Sequence, residues 1–244
     1  MENKFKVFEE IVNDRRSVRV YDLETPFDHD IIQSCLENSV LSPNSSNLQL
    51  WEFYRIISPE AKKKMTTFCL NQPAAATSRE MVVFVSRPDK WKDRQKEIVS
   101  QLEKQFPTLT KAERAKNGAF KYYEQIIPML YSRRLGSLSD FVKKIIVNFR
   151  GMKKPTPREV THTDIRISAH RSISLAAQTF MLAVKAAGYD SCPMEGHDSS
   201  RIKKFLNLPK EAEINMVISV GLGKPQGIYG PRFRVDNKKV IFVK

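Results

Sequence analysis

Apolar residues recur at helical spacing over residues 4–14 (Phe5, Phe8, Ile11, Val12), and the pattern predicts a helix that stops at the charged turn Asp14-Arg15-Arg16-Ser17. A second helix is predicted after Asp28 as N-cap, with Ile31, Ile32, Cys35, Leu36 and Val40 inward and an end before Pro43. A polar loop over Ser42 to Gln49 follows, then a strand over Trp51 to Ile57. Ser58-Pro59-Glu60 reads as the cap and first turn of another helix, and Met81 to Ser86 as a buried strand. Ile165, Ala169, Ser172, Ile173, Ala176, Ala177, Phe180 and Val184 predict a long, closely approached helix that begins near Thr163 and stops at Gly188. Beyond it a short helix is expected from Asp198 to Asn207 and a strand over Ile214 to Val220.

Between these elements lies a highly charged stretch of helical pattern. Thr110 and Glu113 have capping-box spacing before a long helix that Pro128 should kink or end. Phe141, Val142, Ile145, Ile146 and Phe149 form an apolar face beside Lys143, Lys144 and Arg150, a pattern that favours packing on a dimer partner over contact with a membrane surface. Lys153-Lys154-Pro155-Thr156-Pro157 breaks that pattern and reads as a connector. Residues 1–244 are therefore read as one domain carrying a charged helical insertion at 89–155.

The chain has 244 residues, a formal charge of +14 and three widely spaced cysteines, Cys35, Cys69 and Cys192, which argues for reduced thiols over a disulfide framework or a zinc site. Its start lacks the apolar run of a secretory signal, so a soluble, cytoplasmic protein is expected. The positive balance suits a phosphate-bearing partner, yet the basic residues are scattered among acids and form no nucleic-acid-binding module. No specific nucleic acid is expected. His29, His162, His170 and His197 show no metal spacing, Ser45, Ser46 and Ser191 sit in no nucleophile elbow, and Gly221-Leu222-Gly223 lacks the third glycine and helix of a dinucleotide fingerprint, so it reads as a plain turn.

What remains are two arginine clusters at opposite ends of the chain, Arg15-Arg16-Ser17-Val18-Arg19 and Arg232-Phe233-Arg234, together with the amide- and hydroxyl-rich segment from Pro43 to Trp51. Guanidinium forks suit a phosphate, and hydroxyl and amide groups suit a polyol chain and a heterocycle edge. The motifs RRSVRVYD, SPNSSNLQLW, GYDSCPMEGHD, GLGKP and PRFR, in this order, resemble the FMN-binding nitroreductase family over residues 5–87 and 160–240.

That resemblance implies an α+β fold, a central, mostly antiparallel sheet surrounded by helices, and a domain-swapped type of homodimer holding FMN (flavin mononucleotide). Matched position by position, it implies that Arg15 and Ser17 hold the FMN phosphate and ribityl end with Arg232 and Arg234, and that Arg16 assists through its backbone. Arg19 would approach the N1/O2 edge, where a cation stabilises the charge that hydride transfer leaves on the ring. Pro43, Asn44, Ser45 and Asn47 resemble the loop contributed by the partner subunit, and Asn71 the amide that reads the pyrimidine edge. Glu195 and Gly196 resemble the turn offering a backbone N–H to N5, with Pro193 fixing that turn and Met194 beside it. The chain departs from the family at Asn44, at Leu50, and at Ala74 to Ala76, where many members carry a lysine.

The implied activity is an FMN-dependent, ping-pong reduction of small acceptors such as nitroaromatics or quinones, with NADH or NADPH as donor. A specialised flavoenzyme of the same fold (a dehalogenase, an oxidase or a flavin-fragmenting enzyme) and a non-enzymatic flavin- or polyanion-binding module are the alternatives.

Overall fold

The computed structural model describes residues 3–132 and 136–244, so the expectations for the chain's first two residues and for 133–135 of the insertion fall outside it. Helix α1 (Lys4–Asp14) is capped by the Asn3 side chain, which accepts the Phe5 N–H at 3.1 Å. Its apolar residues Phe5 and Phe8 are exposed rather than turned into the chain's own core. A short strand β1 (Tyr21–Asp22) leads to α2 (His29–Val40), capped by Asp28 as expected. Val40, expected inward, is exposed, and Ser39 is buried in its stead. The helix tolerates this because the Ser39 hydroxyl donates to the Cys35 carbonyl at 3.0 Å, leaving no polar group unpaired.

Strand β2 (Trp51–Ile56), helix α3 (Pro59–Phe68), the single turn α4 (Pro73–Ala76) and strand β3 (Glu80–Ser86) follow. The expected Ser58 cap is present, its side chain accepting the Ala61 N–H at 3.2 Å. The insertion contributes α5 (Trp91–Gln105), α6 (Lys111–Lys116), α7 (Gly118–Lys121), α8 (Ile127–Tyr131) and α9 (Ser137–Lys153). The Thr110–Glu113 capping box forms, but the long helix expected after it does not. Asn117 ends α6 and recaps α7, accepting from the Ala119 and Phe120 N–H groups. Pro128 does not end the run either. A π turn over Tyr122–Ile126 widens the helix just ahead of it, which relieves the clash of the proline ring with the preceding turn.

Helix α10 (His162–Ala186) starts from a Thr161/Asp164 capping box and buries Ala169, Ile173, Ala176, Ala177, Phe180 and Val184 against α2 and the sheet. Strand β4 (Asp190–Met194), helix α11 (Ser199–Phe205) and the long strand β5 (Glu213–Gly223) complete the fold. The strands run β1-β5-β3-β2, with β4 also on β5, and every paired neighbour is antiparallel. Alternate residues of β3 serve opposite faces. Val82 and Phe84 pack with α2 and α10, whereas Met81, Val83 and Val85 pack with Met65, Cys192 and Ile202.

β5 runs further than its apolar pattern, taking in Gly221-Leu222-Gly223, so the turn expected there moves to Pro225–Gly227. The glycines belong to the strand because a Cβ at Gly221 would stand 2.9 Å from the Tyr21 ring, and one at Gly223 would stand 2.5 Å from the Asp190 carboxylate.

Candidate functional site

The two arginine clusters meet. After α1 the chain runs extended beside β4: Ser17 pairs with Ser191 in a parallel bridge and the Val18 N–H donates to the Ser191 carbonyl at 3.2 Å. The Arg19 N–H donates to the Gly227 carbonyl at 2.9 Å, so the turn after β5 brings the C-terminal tail over the same spot. Arg15, Arg16, Ser17, Arg19, Arg232 and Arg234 line a cavity of about 180 Å³.

Within it the arginines divide their work. Arg232 donates to the carbonyls of Asn13 (2.7 Å) and Arg15 (2.6 Å), satisfying the end of α1 and fastening the tail to it. Arg16 makes a second tie through its side chain, to the Gly230 carbonyl at 2.8 Å. Arg19 lies 4.7 Å over the Tyr229 ring and reaches the Ser17 carbonyl at 3.4 Å. Among the described residues, none of these five arginines takes part in an ion pair with a carboxylate. Burial, and then the neighbouring charges of Arg232, Arg234 and Arg16, hold the Arg15 guanidinium below its ordinary pKa. The protein thus concentrates positive charge, partly desolvated, without supplying the counter-charge. Such an arrangement suits an anion.

β4 connects this cavity to a second cluster. From Ser191, opposite Ser17, to Glu195 is about 13 Å of extended chain at about 3.3 Å per residue. Here the sequence expectation is corrected: Pro193 and Met194 are not part of the turn but the last residues of β4, paired with Ile218 and Val217. Pro193 is accommodated because β4 carries β5 along only one side at this point, where a missing N–H costs no ladder bond. The Met194 side chain is buried in the core under β3, so only its backbone faces the turn's neighbourhood.

The turn itself, Glu195 to Asp198, is clamped to the end of α3. Gln72 donates from Nε2 to the Gly196 carbonyl at 2.7 Å and to the Cys69 carbonyl at 3.0 Å. The Asp198 N–H donates to the Phe68 carbonyl at 2.8 Å. His197, whose burial lowers its pKa and keeps it neutral near pH 7, sets Nδ1 at 3.3 Å from the Met194 carbonyl. Leu70 and Asn71 are both left-handed, with φ of 59° and 53°, a conformation that costs roughly 1–2 kcal/mol per non-glycine residue. Leu70 and Gln72, the residues on either side of Asn71, both lie against Gly196, far away in sequence. Gln72, His197 and Tyr229 are site neighbours that the sequence reading missed. Only Gln72 carried a signal, as a second amide next to Asn71.

The loop from Pro43 to Asn47 stands elsewhere. Asn44 Oδ1 accepts the Gln49 N–H at 2.9 Å, the Ser45 N–H donates to the Ser172 hydroxyl at 3.0 Å, and the Ser46 and Tyr122 hydroxyls share a 2.6 Å hydrogen bond. Ser46, Asn47 and Gln49 are left-handed, a concentration of strain held in place by buried Leu48 and Leu50 on either side. None of Pro43, Asn44, Ser45 and Asn47 lines the arginine cavity of its own chain.

The comparisons agree with this architecture. The model of the nitroreductase family matches residues 12–222. Bacillus subtilis YdgI, named as an NAD(P)H nitroreductase, is 27% identical over 233 residues, covering 94% of both chains. The Bacillus subtilis protein ydfN, named as a nitroreductase, has a solved structure similar to this one at a TM-score of 0.75 and 22% identity, over 98% of this chain and 100% of that one. A protein of Exiguobacterium sibiricum, named as a nitroreductase and solved in complex with FMN, is similar at a TM-score of 0.66 and 23% identity, over 97% of each chain. An antiparallel sheet enclosed by helices, with the first arginine cluster, Arg15, Arg16 and Arg19, inside the matched span, leads to one assignment: the chain belongs to the nitroreductase family.

Proposed function

We propose that the protein is an FMN-dependent oxidoreductase that takes reducing equivalents from NADH or NADPH and delivers them to a small organic acceptor in a ping-pong cycle, from a homodimer. The observation that carries this reading is the guanidinium cluster that, among the described residues, pairs with no carboxylate, set one strand's length from the Glu195–Gly196 turn and the Gln72 segment that clamps it. A phosphate at one end and a heterocycle at the other is the ligand shape this spacing suits.

The residues fit FMN in kind. Arg15, Ser17 and Arg234 would hold the phosphate, and Arg232 and Arg16 would keep the tail closed over it through their carbonyl contacts. Bound there, the flavin supplies the redox chemistry, accepting hydride at N5 and returning electrons to acceptors of the quinone or nitroaromatic class. The chain's own contribution is positioning and electrostatics. Glu195 and Gly196 would present backbone N–H groups to the N5 edge, Asn71 would read the pyrimidine edge, and Arg19, steadied by Tyr229, would place a positive charge near O2. The left-handed loop with Pro43, Asn44, Ser45 and Asn47 would close the site of the partner subunit, which accounts for its distance from the chain's own arginines.

The FMN-bound neighbour and the NAD(P)H nitroreductase name of YdgI support this reading. It is tested by the visible spectrum of freshly purified protein, followed by addition of each nicotinamide under anaerobic conditions. An oxidised-flavin spectrum, bleached by NADH or NADPH and restored by menadione, is expected, with FMN released on heating. A protein that takes up no flavin when FMN is added contradicts it.

A further inference from the structure

Helix α9 is amphipathic with its apolar side outward. Phe141, Val142, Ile145, Ile146 and Phe149 form one exposed stripe, with Phe149 71% and Met152 79% accessible. Lys143, Lys144 and Val147, on the opposite side, are half-buried. Polar contacts on that side fix the orientation. Lys143 Nζ donates to the Leu130 carbonyl at 2.8 Å, Lys144 Nζ to the Arg158 carbonyl at 3.0 Å, and Asp140 accepts the His162 N–H at 3.1 Å. Arg158 crosses over Gly151, where no Cβ obstructs it, to reach Asn148 at 2.8 Å. A helix held only by hydrophobic packing would present the other face to the body.

The exposed stripe ends among cations. Arg150, Lys153 and Lys154 make no ion pair among the described residues, and the one acid of the helix, Asp140, is already engaged. A second copy laid on this face would bring up a chain with the same formal charge of +14. An anionic lipid surface supplies both the opposite charge and an apolar layer. No helix among the described residues is long and apolar enough to cross a membrane, so the contact is one that lies along the surface. We propose that α9 is a membrane-surface anchor that lays its Phe141–Phe149 stripe into the interface of an anionic bilayer, holding the site close to lipid-dissolved acceptors.

The test is co-sedimentation of the full-length protein with phosphatidylcholine vesicles made with and without phosphatidylglycerol, and it does not depend on the flavin assignment. The wild type is expected to pellet with the anionic vesicles, to remain in solution with the neutral ones, and to be released by high salt. Arg150→Gln, Lys153→Gln and Lys154→Gln together, which leave the apolar face untouched, should lower partitioning on the order of a hundredfold. Phe141→Ser with Phe149→Ser should also abolish pelleting without changing the helical circular dichroism. Wild-type protein that stays in solution with anionic vesicles overturns the proposal. So does a serine variant that turns a dimer into a monomer, since that result gives the face to a second copy.

Discussion

The two ends of β4 hold the candidate site in different ways. At the Ser191 end the instrument is charge: five arginines gathered from positions more than two hundred residues apart, with burial and mutual repulsion making an anion welcome. At the Met194 end it is backbone geometry: a turn clamped by Gln72 and the Phe68 carbonyl, beside two left-handed residues at the end of α3. The first end is suited to affinity. The second is suited to alignment, because it offers N–H groups and amides whose value depends on angle and distance rather than on net charge.

This division predicts separable effects. The largest belongs to the charged end: Arg15→Ala with Arg234→Ala should weaken FMN binding by about 3–6 kcal/mol, since charge-assisted hydrogen bonds contribute about 1.5–3 kcal/mol each. Fluorescence titration with FMN measures this, and unchanged affinity would reject the phosphate assignment. Next, Gly221→Val places a Cβ against the Tyr21 ring and should destabilise the fold by about 1–3 kcal/mol, read as a lower denaturation midpoint. A variant as stable as wild type would show that β1 does not need its close seat on β5.

At the turn, Gln72→Leu removes the bond to the Gly196 carbonyl while keeping similar bulk. It should cost about 1 kcal/mol of stability and shift the flavin midpoint potential, while leaving FMN affinity within about threefold. A large loss of affinity with no change in potential would invert the comparison between the two ends. The smallest effect is expected from Leu70→Gly, which relieves a left-handed, mostly exposed leucine; a gain of up to about 1 kcal/mol should appear as a raised melting temperature.

The charged end was legible in the sequence because arginine clusters are local and their chemistry is carried by residue type. The same holds for Asp28, Ser58 and Thr110, whose caps involve neighbours three residues away or fewer. The aligning end was less legible. Gln72 and Gly196 are 124 residues apart, and nothing in either segment announces the contact. Pro193 looked like a turn residue because proline commonly is one, and only the pairing of β4 shows that an edge strand admits it. Gly221 and Gly223 were read as a turn because the Tyr21 ring and the Asp190 carboxylate that exclude a Cβ lie on other strands. Periodicity revealed that α9 and α10 each have an apolar face, but not that one faces inward and the other outward. That depends on Lys143, Lys144 and Arg158, which fasten α9 by its polar side.

The central claim is that the arginine cavity holds the phosphate of FMN. Titrating the flavin-free protein in parallel with FMN and with riboflavin, which lacks the phosphate, tests it most directly. The account predicts that FMN binds at least a hundredfold more tightly than riboflavin, and that the Arg15→Ala, Arg234→Ala variant loses most of that preference. Equal affinity for the two flavins in the wild-type protein would contradict it.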